Sequence, residues 1–121
     1  RQMCIRDRSS SLKYFLDSTG DIWATNSLEN KPGIAFTSSS SMHGGQETTL
    51  LSMMLPLLHH GMLIAGVPYS EKALSSTKSG GTPYGPTHVA HNQKSDLTAE
   101  EKVICMSYGK RFAEIVCDLK N

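Results

Sequence analysis

The side chains able to do chemistry gather in three stretches. Ser38, Ser39, Ser40, Ser41, Met42 and His43 form a hydroxyl-rich run that passes into Gly44, Gly45 and Gln46. His59 and His60 stand side by side ahead of Gly61, and the one tryptophan, Trp23, closes the run FLDSTGDIW. A loop of small residues lets backbone N–H groups approach a ligand closely, and a helix opening just after it adds positive potential. Residues 38–46 therefore suit an anionic or acceptor-rich ligand. They also read as a plain Ser-rich connection. They do not form a phosphate loop of the GxxxxGK[ST] kind. The histidine pair complements a helix C-terminus, or sets one imidazole over a ligand beside the strand ends. His43 is a polar loop residue or a ligand contact, and Trp23 a surface anchor or the aromatic wall of a cavity.

Other chemistries find little support. His88-Val89-Ala90-His91 has an HxxH spacing that His59 or Cys105 would have to complete, with no acid or cysteine nearby in sequence. We expect no metal site. No GxSxG nucleophile elbow occurs. The three cysteines, Cys4, Cys105 and Cys117, are odd in number and lack a CxxC spacing, which makes a reduced, cytoplasmic setting the default. The chain has no apolar run of the ~20 residues that span a bilayer. Twelve Lys+Arg against eleven Asp+Glu give a net charge of +1. The leading RQMCIRDR carries an excess of basic residues, so the rest is near neutral, which argues against nucleic-acid or membrane-surface binding.

These residues need elements to hold them. The spacing of Leu12, Phe15 and Leu16 predicts a helix over residues 9–18, and 21–32 reads as a loop. GIAFT and MLIAGV, residues 33–37 and 62–67, have the form of short buried strands. Between them a helix opens near Gln46-Glu47, with Leu50, Leu51, Met54, Leu55, Leu57 and Leu58 apolar and Pro56 expected to bend it. Residues 68–96 read as one irregular segment, long enough to be functional. Thr98 and Glu101 make a capping box for a last helix, whose inner face is expected at Cys105, Tyr108, Phe112, Ile115, Val116 and Leu119. Strands alternating with helices argue for an α/β fold with a parallel sheet. Two strands are few for a complete sheet.

FLDSTGDIW (15–23), HGGQETTLLSMMLPLLHHGM (43–62) and GGTPYGPTHVA (80–90) together resemble the WrbA-type NAD(P)H:quinone oxidoreductases, flavodoxin-like FMN proteins. The resemblance runs over residues 9–121. It implies a doubly wound parallel sheet, with residues 33–38 as its fourth strand and 62–67 as its fifth. It also implies FMN at the strand carboxyl ends, flanked by Ser38 to Gly44, with His59 at the flavin and Trp23 at the substrate cavity. NADH or NADPH would reduce the flavin, and a quinone would then take two electrons. His59 would orient the quinone or hydrogen-bond to it. The family is typically tetrameric, with cavities completed by neighbouring subunits, so Trp23 is a candidate for an adjacent site.

Two departures accompany the resemblance. Ser38 to Ser41 is unbroken serine where the family usually has a Ser-Gly or Thr-Gly step, and Ser40 is expected to be strained if it needs a positive φ. The family's first strand, its phosphate-binding loop and the loop after its third strand have no counterpart here. The expectation is a C-terminal part preceded by a non-native or disordered leader at residues 1–8. Such a chain would fold poorly alone and be inactive by itself. A non-catalytic assembly module that lost its flavin, or a carrier passing electrons to a protein partner, are the other readings.

Overall fold

A computed structural model describes residues 8–90 and 96–120. The expected leader lies outside these residues apart from Arg8. The elements in chain order are α1 (Ser10–Asp17), α2 (Gly20–Ala24), β1 (Pro32–Gly33), β2 (Thr37–Ser39), α3 (Gln46–His59), β3 (Leu63–Ile64), α4 (Lys72–Ser76), β4 (Thr87–Val89) and α5 (Ala99–Asp118). Both strand pairs are parallel, β1 with β3 and β2 with β4. The chain is thus mixed α/β with short parallel strands, as the alternation of helices and strands requires.

The register explains why the strands are shorter than expected. Gly33 pairs with Ile64, an offset of 31 residues, whereas Thr37 pairs with Thr87, an offset of 50. Nineteen residues are therefore extruded between β3 and β4. The backbone N–H of Val67 bonds not to the 32–39 segment but to the Pro83 carbonyl at 2.9 Å, inside the extruded loop. Residues 68–96 are accordingly not one irregular stretch: they contain α4 and β4. The β4 strand escapes pattern reading because it is three residues long and buried at both ends. Likewise the 21–32 region opens with α2, which carries Trp23.

Successive residues of the 32–39 segment face opposite layers, as extended backbone requires. Ala35 joins Leu50 and Met54 of α3 on one side. Ile34 packs on the other against Val67, Leu74 of α4, and Ile104 and Tyr108 of α5. Tyr108 also donates its hydroxyl to the Ala65 carbonyl at 2.6 Å. On α5 the buried stripe is Glu101, Ile104 and Tyr108. Cys105 and Leu119, expected on the inner face, are exposed, while Phe112, Ile115 and Val116 are half-buried.

Local chemistry sets the helix ends. α3 runs through Pro56. A proline lacks the N–H that would bond to the carbonyl four residues earlier. That carbonyl, on Ser52, accepts instead from the Arg8 guanidinium at 3.2 Å. α5 begins with the full capping box, the Thr98 hydroxyl accepting from the Glu101 N–H and the Glu101 carboxylate from the Thr98 N–H. Thr98→Ala is expected to destabilise the chain by about 1 kcal/mol, measured by urea denaturation. An unchanged midpoint would mean that Glu101 alone holds the start of the helix.

Candidate functional site at the strand carboxyl ends

The serine run begins on β2 and continues past its carboxyl end into the turn before α3. Ser38, Ser40, Ser41, Met42 and His43 are exposed, and Ser39 and Gly44 half-buried. Two glycines make the turn possible. Gly44 donates to the Ser41 carbonyl at 3.1 Å, and a Cβ there would lie 2.9 Å from that of Ser39. Gly45 is the N-cap of α3 with φ +84°. Among the described residues only Asn26 and Asn30 are non-glycines with positive φ. The strain expected at Ser40 therefore does not arise, because the sharp turning falls to Gly44 and Gly45.

No side chain caps α3, so its N-terminus opens on a cavity of about 440 Å³. One wall is Met42, His43 and Gly45 to Thr48; the other is Thr77, Ser79, Gly81 and Thr82 of the extruded loop. The lining is hydroxyls, small residues, Met42, the His43 imidazole and the Glu47 carboxylate on the first turn of the helix; of the serine run it takes only the end, since none of Ser38 to Ser41 lines it. Such a surface fits the acceptor-rich edge of a planar heteroaromatic ring. Among the described residues it holds no arginine or lysine against a phosphate.

The sequence did not reveal what joins these walls. Gln46, buried at the start of α3, donates its amide to the Met42 carbonyl at 3.0 Å. Its carbonyl oxygen accepts from the Thr87 hydroxyl on β4. That hydroxyl accepts in turn from the Gly81 N–H at 2.7 Å. Glu101 anchors the next residue back. Its Oε1 accepts from the Gly80 N–H and the Ser79 hydroxyl, each at 2.8 Å, and from the Val89 N–H at 3.1 Å. Its Oε2 accepts from His88 Nδ1 at 2.8 Å and the Thr98 N–H at 3.0 Å. Burial alone would raise the Glu101 pKa, but the bonds from His88, Thr98, Ser79 and Val89 outweigh it and hold the carboxyl at about 2. His88 is thereby committed to Glu101, and its HxxH partner His91 lies outside the described residues.

His59 and Trp23 sit elsewhere. α3 is 14 residues long, which at ~1.5 Å per residue puts its two ends about 20 Å apart. His59 closes the far end from the serine loop. It lines an open groove of about 480 Å³ with Trp23, Leu16, Leu55, Pro56 and His60. Within one copy the structure thus brings Trp23 and His59 together and parts both from Ser38–Gly44. The two histidines have different duties. The Thr19 hydroxyl donates to the Leu16 carbonyl at 2.6 Å, so its contact with His60 Nε2 at 2.8 Å has the imidazole as donor. His60 ties the α1–α2 corner to the end of α3, while His59 remains exposed.

Parallel strands, helices on both sides and a small-residue loop at the strand carboxyl ends define an open α/β protein, a class that holds its ligands at that end. Sequence comparison adds named relatives. The chain is 47% identical over 114 residues to the NAD(P)H dehydrogenase (quinone) of Chromohalobacter salexigens, 92% of this chain and 57% of that protein. Proteins of the same name from Solidesulfovibrio magneticus and Trichlorobacter lovleyi are 40% and 42% identical, over 90% and 92% of this chain and 55% and 56% of theirs. No family model matches the chain. Over nine-tenths of its length the chain is homologous to these proteins, and it spans about half the length of the curated relatives it matches. No helix among the described residues is long and apolar enough to cross a membrane.

Proposed function

We propose that this chain forms part of an FMN-dependent NAD(P)H:quinone oxidoreductase of the WrbA type. The observation that carries the reading is the cavity between the serine loop and the extruded loop, in a chain 40–47% identical to proteins named for this activity. Ser38 to Gly44, with the α3 N-terminus, would hold one edge of the flavin ring. Bound FMN would supply the hydride chemistry that links the nicotinamide to the quinone. The chain's own part is to fix the ring, exclude water and place donors where reduced-ring charge develops. Donors of that kind are the backbone N–H groups at the loop and helix start.

The 20 Å separation supports a role for His59 and Trp23 at a second copy's site. Their groove is open and flanked by exposed Leu55. A facing subunit would close it, Trp23 offering an aromatic wall and His59 a hydrogen bond to the quinone. Such an assembly accords with a homotetramer in the cytoplasm.

The test is NADH- and NADPH-dependent quinone reduction by the complete protein of which this chain forms part, with added FMN, alongside flavin fluorescence titration. Flavin binding with quinone turnover is the expected result. His59→Ala should lower kcat/KM about tenfold, near the worth of one hydrogen bond, without changing FMN affinity. FMN binding without turnover would leave electron transfer to a protein partner. No FMN binding at any concentration would leave the non-catalytic assembly module.

A further inference from the structure

We infer that Gln46 is a positioning residue: it locks the serine loop to the extruded loop, so that the two walls of the candidate cofactor cavity are held as one piece. The inference rests on the flavin reading for its purpose, but on geometry for its substance. Gln46 bonds in two directions. Its amide N–H holds the Met42 carbonyl, four residues back in the turn. Its amide oxygen takes the Thr87 hydroxyl, which also holds the Gly81 N–H. Met42 lines one wall of the cavity and Gly81 the other. The path between them is two buried side chains with no water needed.

The residue types are chosen by this double duty. A primary amide offers a donor and an acceptor on one planar head, which a carboxylate, an ammonium or a guanidinium does not. Glutamate at position 46 would keep the acceptor for Thr87 but turn a second oxygen on the Met42 carbonyl. Only a hydroxyl at position 87 can donate to Gln46 while accepting from Gly81. Valine there has the shape of threonine and neither function. Burial makes both links matter, because an unmade bond cannot be replaced by solvent.

The experiment compares backbone amide exchange at Gly44 and Gly81 in the full chain with FMN affinity by fluorescence titration. Gln46→Glu is expected to speed exchange at Gly44 about tenfold and leave Gly81 protected. Thr87→Val is expected to speed both, and Thr87→Ser to restore both. Affinity for FMN should fall about tenfold in Gln46→Glu and Thr87→Val and recover in Thr87→Ser. Equal protection at Gly44 in all variants would overturn the inference. So would a uniform loss across every amide, which marks general destabilisation. The expected exchange pattern in a chain that does not bind FMN would uphold the lock and reject the flavin reading instead. If Gln46→Glu does not fold, the Thr87 pair decides alone.

Discussion

Glu101→Gln is expected to destabilise the chain by about 3 kcal/mol, because it leaves buried donors without an acceptor. The carboxylate is only 2% exposed yet accepts from five donors on three elements. An amide has one acceptor oxygen. Its NH2 would face either Ser79, Gly80 and Val89 or His88 and Thr98, and donors would meet donors. The same residue governs acid stability, and the sign follows from the direction of its shift. Its folded pKa of about 2 lies below the ordinary value of 4.5. The unfolded chain therefore takes up the proton first as pH falls. The contribution is fully present above about pH 4.5, shrinks below it, and is gone once pH passes through about 2. The shift corresponds to roughly 3 kcal/mol. Urea denaturation at pH 7, 4 and 2.5 should show wild type losing this margin and Glu101→Gln, already lacking it, losing far less. Equal acid losses in the two proteins would remove Glu101 from the account.

Much of this was legible in the sequence because it rests on periodicity and short-range chemistry. The Leu50 and Met54 face of α3, the burial of Ala35 and the Thr98–Glu101 box are local signals, and all are present, whereas the strand expected over 33–37 is split into β1 and β2 on either side of residues 34–36. Glu101 illustrates the limit. The capping box reveals the bond to Thr98, three residues away. The bonds to Ser79 and Gly80 cross more than twenty residues and exist only because β4 returns beside β2. Thr87 and Gln46 are invisible for the same reason: their pairing spans 41 residues. The serine loop and the His59–Trp23 pair were each legible as residues with chemistry. Their placement at opposite ends of α3 follows from helix length rather than from either motif.

Gly80→Ala is expected to cost at least ~3 kcal/mol, because the added methyl has no space and the obstacle is rigid. A Cβ on Gly80 would overlap the Thr87 carbonyl and fall 2.6 Å from Glu101 Oε1. The first is backbone on a buried strand, and the second is pinned by its donors, so neither retreats cheaply. Relief would require moving the extruded loop off β4, which breaks the Gly80–Glu101 and Gly81–Thr87 bonds together. The damage should therefore reach the cavity as well as the fold. Gly109 supplies the contrast. It lies inside α5, and among the described residues nothing outside its own helix backbone comes within 4 Å of where a methyl would stand. Alanine there removes the backbone freedom of a helical glycine and should stabilise by ~0.5–1 kcal/mol. One substitution, made at two glycines, is thus expected to act in opposite directions. Thermal melts of the two variants against wild type decide it. Similar shifts for both would show that the loop yields at Gly80, and that the close packing of the GGTPYG turn on β4 is not what holds the cavity wall in place.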